Sequence, residues 1–153
     1  MGLLNIPIPE AVVKVGDSEG FAVVGLSPHD IVSVYLRHRK ELSEFFDMYS
    51  AKVKELGPDI AAELISSRAV SDLISTLPNI SAEIVAISAG FPISDEKFEE
   101  AVTKLKRFPL ATQMEALTKI AGLTFSSDMP AGKFLAVVKS AIMTATAAKA
   151  LNQ

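Results

Sequence analysis

The chain has 153 residues, a net charge of −3, a hydrophobic content of 49% and no cysteine. This length suits one domain of ordinary size, and the apolar content is too high for a globally disordered chain. The acidic balance argues against nucleic-acid binding through bulk charge, and the missing cysteines exclude disulfides and thiolate chemistry. The mean hydropathy of +0.33 is high, which indicates either a generous core or apolar surface kept for a partner.

The first elements in the chain form a predicted β-hairpin. Residues 1–10 are expected to be extended and peripheral because Pro7 and Pro9 restrict the backbone. They lack the basic start of a signal peptide, and Ile6 stands where a myristoylation signal has Ser or Thr. AVVKV and FAVVGL are short strand patterns on either side of the turn-like GDSEG. An isolated hairpin is marginal in water, so this one must lie on helices or find another strand.

A long amphipathic helix is predicted after the hairpin. Ser27 is a good N-cap, Pro28 takes the first helical position, and Asp30 places a negative charge near the positive helix end. Apolar residues then recur at helical spacing: Ile31, Val34, Tyr35, Leu42, Phe45, Phe46, Tyr49, Val53 and Leu56. Gly57 and Pro58 end the pattern. We expect the hairpin to pack on this helix.

Shorter helical patterns follow. PDIAAELISSRAVSDLISTL is closed by Pro78, SAEIVAISAG runs from a Ser81 cap to Gly90, and SDEKFEEAVTKLKRF opens with Ser94 as its cap. PLATQMEALTKIAGLTF starts at Pro109. The sequence therefore predicts a mainly α fold, a multi-helix domain with a small N-terminal β-hairpin packed on a long amphipathic helix.

The chain divides at the loop FSSDMPAG, residues 125–132. Residues 1–125 are predicted to form a helical body, and residues 126–153 a loop plus a C-terminal helix. Two interpretations stand beside each other: this helix packs back on the body, or it is mobile and docks in a partner's groove through its apolar face. The residues predicted to bind a protein are Phe134, Leu135, Val138, Ile142 and Met143. Two lysines in the same stretch argue against a membrane span.

No pattern in the sequence predicts catalysis, a cofactor or a metal. His29 and His38 are the only histidines, too few for a zinc site without cysteine. The basic cluster RHRK at 37–40 could meet an acidic partner, but a solvated helix surface is favoured because consecutive helical residues fan out around the axis. Gly132-Lys133 lacks the glycine spacing of a phosphate loop. We therefore expect a protein that is not an enzyme.

Two stretches carry a family resemblance. GFAVVGLSPHDIVSVYLRHRKELSEFF and FPLATQMEALTKIAGLTF resemble segments of the tail assembly chaperones of long-tailed, non-contractile bacteriophages, also called pre-tape-measure chaperones or frameshift proteins. The first stretch matches at Gly25, Leu26, Ser27, Asp30, Ile31, His38, Leu42 and Phe45. The second matches at Pro109, Leu110, Gln113, Glu115, Ala116, Leu117, Ile120, Leu123, Thr124 and Phe125.

The resemblance implies a non-enzymatic assembly role in the host cell cytoplasm. Such proteins bind the tape measure protein, keep its hydrophobic helices soluble, help recruit tail tube subunits and are absent from the mature virion. A frameshifted longer form often adds the tube-binding part, and Ala131-Gly132-Lys133 could be encoded by a slippery heptamer. Self-association is a further expected contact, and neither nucleic acid nor membrane is expected as a partner. The alternative hypothesis is a structural head or tail component that is retained in the virion.

Overall fold

The computed structural model describes residues 2–56 and 70–125. A short 3₁₀ turn, Leu3–Asn5, precedes the regular elements. The strands are β1 (Glu10–Val15) and β2 (Ser18–Val24). The helices in these ranges are α1 (Pro28–Arg37), α2 (Arg39–Leu56), α3 (Val70–Thr76), α4 (Pro78–Ser88), α5 (Phe98–Lys106) and α6 (Leu110–Thr124). The predicted fold class, mainly α with a small N-terminal hairpin, is confirmed.

The hairpin is antiparallel and tighter than the sequence predicted. Glu10 pairs with Val24 and Val13 with Phe21, after which the register slips and Val15 pairs with Ser18. The connecting turn therefore consists of residues 16 and 17 alone, and residues 18–20, predicted as turn, belong to β2. A Cβ on Gly20 would lie 2.2 Å from the carbonyl oxygen of Val13, so the bulge requires glycine at this position.

The hairpin packs chiefly on α6, with a smaller contact between β2 and α4. Its inner face buries Val13 and Val23 completely, whereas Val12 on the outer face stays exposed. The expected packing on the long helix was therefore wrong. The sequence favoured packing on α1 because α1 directly follows the hairpin in the chain. Instead, α1 buries Val34 in the core and packs on α4.

The start of α1 confirms the predicted cap. Asp30 N–H donates to Ser27 Oγ at 3.1 Å, and Ser27 N–H donates back to Asp30 Oδ2 at 3.2 Å, which is a capping box. The single long helix, however, is broken into α1 and α2 at His38, whose φ of −127° and ψ of 42° are not helical. The His38 side chain hydrogen-bonds Glu83 of α4, a tertiary contact that the helical spacing could not reveal.

Helix α4 is the centre of the helical body. It packs against α5, α6 and α1, and most of its residues are buried on every side. It begins at Pro78 rather than at the predicted Ser81, whose hydroxyl donates to the carbonyl oxygen of Pro78 at 2.9 Å. Its predicted end is correct, because Gly90 adopts a φ of +101°, a conformation that favours glycine.

Helix α5 begins later than its sequence pattern indicated. The predicted cap, Ser94, lies in a turn that precedes the helix, and α5 starts at Phe98. Within that turn, Lys97 N–H donates to Asp95 Oδ1 at 2.8 Å. Helix α6 begins at Leu110 with Pro109 as its N-cap, one residue after the predicted start at Pro109.

Within the described residues, no single helix is long and apolar enough to cross a membrane. Helices α3 and α4 reach that length and composition only together, and they are bent by 118° relative to each other.

Candidate functional site

The residues predicted to bind a protein, Phe134, Leu135, Val138, Ile142 and Met143, lie outside the described residues, as does the rest of 126–153. The described part of the chain ends at Phe125, directly after α6. The structure therefore shows the position on the helical body from which residues 126–153 follow in the chain.

The end of α6 is held by a close contact with the residues that follow β2, which we call the junction (Gly25, Leu26, Leu123 and Thr124). Leu26 N–H donates to Thr124 Oγ1 at 2.9 Å, and the same hydroxyl donates to the carbonyl oxygen of Ile120 at 2.7 Å. A Cβ on Gly25 would lie 2.7 Å from the carbonyl oxygen of Leu123. Backbone therefore meets backbone here, which only glycine permits.

A lysine on α6 holds the hairpin at a second point. Lys119 Nζ donates to the carbonyl oxygen of Val12 at 2.6 Å and to Glu115 Oε1 at 2.8 Å. Successive carbonyls of a strand point to opposite sides, and that of Val13 points toward β2, next to Gly20. The Val12 carbonyl thus lies on the open edge of β1. Lys119 occupies part of an edge that another strand could otherwise join.

Exposed apolar side chains concentrate in the N-terminal arm, which we define as residues 2–9. Leu3 is 83% exposed, Leu4 97%, Ile6 57% and Ile8 73%. The arm carries no charged side chain. Large apolar side chains exposed next to one another are typical of a surface that another segment or a partner covers.

A smaller exposed apolar patch lies on α1. Val32 and Leu36 are 40% and 63% exposed, and their spacing of four residues places them on one face of the helix. Together with the arm, they provide the described part of the chain with two apolar surfaces open to a partner.

A buried carboxylate ties α1 to α4. Glu83 is 1% exposed. It accepts a hydrogen bond from Arg37 Nε at 3.1 Å on one oxygen and bonds His38 Nε2 on the other. Arg37 also pairs with the exposed Glu99 at 3.2 Å and stacks over the Phe98 ring at 5.6 Å.

The sequence patterns did not predict this cluster. Arg37, Arg39 and Lys40 of RHRK are exposed, as a solvated helix surface predicts, whereas His38 is half-buried. The contacts of Arg37 and His38 with Glu83 were not predicted. The signal that could have revealed them is Glu83 itself, since a single charge inside the apolar stretch SAEIVAISAG needs partners when the helix is buried.

The described residues offer little to catalytic chemistry. None of the groups of His, Asp and Glu in 2–56 and 70–125 could hold a metal ion. A cavity of about 10 Å³ between β2 and helices α4, α5 and α6 has room for about one water.

The family model described as pre-tape measure protein matches residues 1–153, which is the whole chain. The chain belongs to the pre-tape measure protein family. This confirms the resemblance to phage tail assembly chaperones. A comparison with curated proteins found no match, and a comparison with solved structures found none either.

Membership in the pre-tape measure family associates this protein with phage tail assembly and with the tape measure protein. The family is one of structural or chaperone proteins, not of enzymes. The two stretches that carried the resemblance meet at the junction, where Gly25 and Leu26 of the first contact Leu123 and Thr124 of the second. These matching positions therefore form one packing unit although they lie about 100 residues apart in the chain (124 − 26 = 98).

Proposed function

We propose that this protein is a phage tail assembly chaperone that binds the tape measure protein, keeps it soluble and helps recruit tail tube subunits. The observation that carries the proposal is the match of the pre-tape measure family over residues 1–153. A protein that binds an aggregation-prone partner stabilises its soluble form by mass action.

The described surface supports this role. The N-terminal arm and the α1 patch expose apolar side chains, and a holdase needs such surface to cover the hydrophobic helices of a client. Two separate apolar surfaces would allow the protein to contact one long client at more than one point.

The C-terminal segment is the proposed client-binding element. Phe134, Leu135, Val138, Ile142 and Met143 recur at helical spacing, and an apolar helix face that enters a groove is a common recognition mode. Because the client is a long helical protein, we place the contact between helices rather than between strands.

Co-expression with the tape measure protein of the same phage tests this site. Truncation before Met129, or Phe134→Ser combined with Val138→Ser in the full chain, should abolish co-purification. Lys149→Ser, in the same segment, serves as the matched control and should leave capture intact. Unchanged capture by both altered proteins would rule the segment out and would point to the arm and the α1 patch.

Tube recruitment is proposed to depend on a longer, frameshifted form. A slippery heptamer could encode Ala131-Gly132-Lys133, so the gene sequence tests the idea at once. A heptamer that overlaps a downstream frame, and an extended product that co-purifies with the tail tube protein, would support it. A gene without such a site would remove the frameshifted form and leave client binding untouched.

The protein is proposed to act in the host cell cytoplasm and to be absent from the mature virion. Mass spectrometry of purified virions tests this directly against a structural role. We expect the protein in the infected-cell lysate and only traces in the particles. Stoichiometric amounts in mature particles would favour a head or tail component that is retained.

A further inference from the structure

The base of the arm and the start of α1 lie at the same end of the hairpin. Glu10, which follows the arm, pairs with Val24, and α1 begins at Pro28, shortly after Val24 in the chain. Paired Cα atoms lie about 5 Å apart and the connecting residues span at most about 15 Å, so Glu10 and Pro28 lie within about 20 Å of each other. Each copy of the chain therefore presents the arm and the α1 patch, Val32 and Leu36, in one region of its surface.

Neither surface covers the other in the described part of the chain. The large side chains of the arm are at least 57% exposed, and Val32 and Leu36 are 40% and 63% exposed. Pro7 and Pro9 have no N–H groups to donate to a neighbouring strand, which suits the arm to side-chain packing. A suitable cover for the arm is thus a second apolar surface rather than the edge of a sheet.

The side-chain spacing of the arm matches that of the α1 patch. Ile6 has an extended backbone, with a φ of −82° and a ψ of 119°. In extended chain, Ile6 and Ile8 are separated by about 6.6 Å. Val32 and Leu36 are one helical turn apart, which is about 6 Å along the axis of α1. Two aliphatic side chains of an arm can therefore pack beside the two of a patch.

We propose that two copies of this chain exchange arms, so that the arm of each copy packs on the α1 patch of the other. Because each copy presents both surfaces, the two contacts are equivalent and are related by a two-fold axis. The arm carries no charged side chain, so the contact depends on apolar burial. A client that uses the same surfaces has to separate the two copies, and this one consequence rests on the proposed function.

The apolar area of these surfaces is enough for a weak dimer. The side chains that each copy contributes are Leu3, Leu4, Ile6, Ile8, Val32 and Leu36. At their exposed fractions they amount to about 500–1,000 Å² of apolar surface in the two copies together. A stable interface buries about 1,200–2,000 Å² in total, of which somewhat more than half is apolar. We therefore expect a dimer with a dissociation constant in the micromolar range.

Sedimentation equilibrium of the purified full chain tests the exchange. Between about 1 and 100 μM we expect the average mass to rise from one copy toward two. Ile6→Ser with Ile8→Ser, and separately Val32→Ser with Leu36→Ser, should each raise the dissociation constant at least about tenfold, because each pair supplies apolar area to both contacts. Circular dichroism of the two variants checks that they are folded.

Met48→Ser with Leu110→Ser is the matched control. Met48 and Leu110 are 41% and 60% exposed, close to the values for Val32 and Leu36, and they lie on α2 and α6, outside the arm and the α1 patch. This variant should dimerise like the parent. A parent that stays monomeric, an assembly that grows beyond two copies, or a control that loses the dimer as the other variants do would overturn the proposal.

Cross-linking between two singly altered chains tests which surfaces meet. Because the sequence contains no cysteine, Ile8→Cys and Leu36→Cys can be purified separately, mixed and treated with a short bismaleimide. We expect a cross-linked heterodimer, and a far lower yield when Ile8→Cys is mixed with Lys104→Cys, which lies on the exposed surface of α5.

Two cross-linking results would overturn the exchange. Equal yields from the two mixtures would mean that the arm has no preferred position on a second copy. A cross-linked monomer, when both cysteines stand in one chain at a concentration that favours the dimer, would place the arm on the α1 patch of its own copy. These measurements contain no tape measure protein, so they succeed or fail independently of client capture.

Discussion

Glu83 is held by side chains from both sides of the α1–α2 break. Arg37 ends α1 and His38 forms the break, and both bond the Glu83 carboxylate, which is almost completely buried in α4. A buried charge is tolerated only where hydrogen bonds replace its lost hydration. These two contacts therefore account for the charge in the core and for the position of the break.

Glu83→Ala should lower the free energy of unfolding by about 2–3 kcal/mol in urea denaturation. Breaking a fully buried ion pair typically costs about 3–5 kcal/mol. We expect a smaller loss here because Arg37 is partly exposed and keeps Glu99 as a partner. The control is Glu99→Ala, which removes the exposed partner of the same arginine and should cost about 0–1 kcal/mol. Equal losses of unfolding free energy in the two variants would contradict the conclusion that the burial of Glu83 makes its contacts important for stability.

Thr124 offers a second test at the scale of one hydroxyl. Thr124→Val keeps the shape of the side chain but leaves the part-buried Leu26 N–H without its acceptor, so we expect a loss of about 1–2 kcal/mol. Thr124→Ser retains the hydroxyl and should stay within about 0.5 kcal/mol of the parent. The midpoint of urea unfolding measures the stability of both variants. A similar loss for Thr124→Val and Thr124→Ser would mean that the hydrogen bond does not contribute to stability.

At the scale of elements, the hairpin depends on α6. Its inner face packs there, Lys119 holds the β1 edge, and the junction holds the end of β2. A two-stranded hairpin is marginal by itself, so these contacts explain why it persists.

Replacement of glycine by alanine should change the stability of the protein in opposite directions at two positions near this contact. A Cβ at position 25 would lie 2.7 Å from the Leu123 carbonyl oxygen, so Gly25→Ala must move β2 away from α6 and should cost about 1–3 kcal/mol. Gly122, inside α6, has open space around its missing Cβ, and Gly122→Ala should gain about 0.5–1 kcal/mol. Thermal unfolding of the two variants checks the pair. A neutral Gly25→Ala would contradict the close approach at the junction.

Local chemistry made several elements predictable. The Ser27 capping box, Pro28, Gly90 and Pro109 act within one turn of the chain, and each marks the boundary that the sequence indicated. The break at His38 and the packing of the hairpin depend on distant partners, Glu83 and α6, which no local pattern contains. The starts of α4 and α5 were also misplaced, although the contacts of Ser81 and Asp95 at these starts are local. Competing local caps and distant partners therefore both moved boundaries from their predicted positions.

At the scale of the whole molecule, α4 forms the buried centre and apolar surface remains on the outside. A helix that is apolar on every side is typical of a core, and α4 fits this description except for Asn79, Glu83 and its serines. Among the described residues, both the buried core, with α4 at its centre, and the exposed arm contribute apolar residues to the high mean hydropathy. The amino-acid composition indicated a generous core or exposed apolar surface, but it could not show which residues belong to each.

The candidate site was predictable only in part. Helical spacing drew attention to Phe134 and its neighbours, which stay a prediction because they lie outside the described residues. The exposure of Leu3 and Leu4 could not be read from the sequence, since apolar residues near a terminus are covered or left open according to tertiary packing.

We propose that this protein keeps the tape measure protein soluble by binding it. The most direct measurement is the soluble fraction of the tape measure protein, expressed alone and with this chain, followed by size-exclusion chromatography. We predict that it is largely insoluble alone, and soluble and co-eluting with this chain when both are present. An unchanged soluble fraction with separate elution of the two proteins would contradict the account.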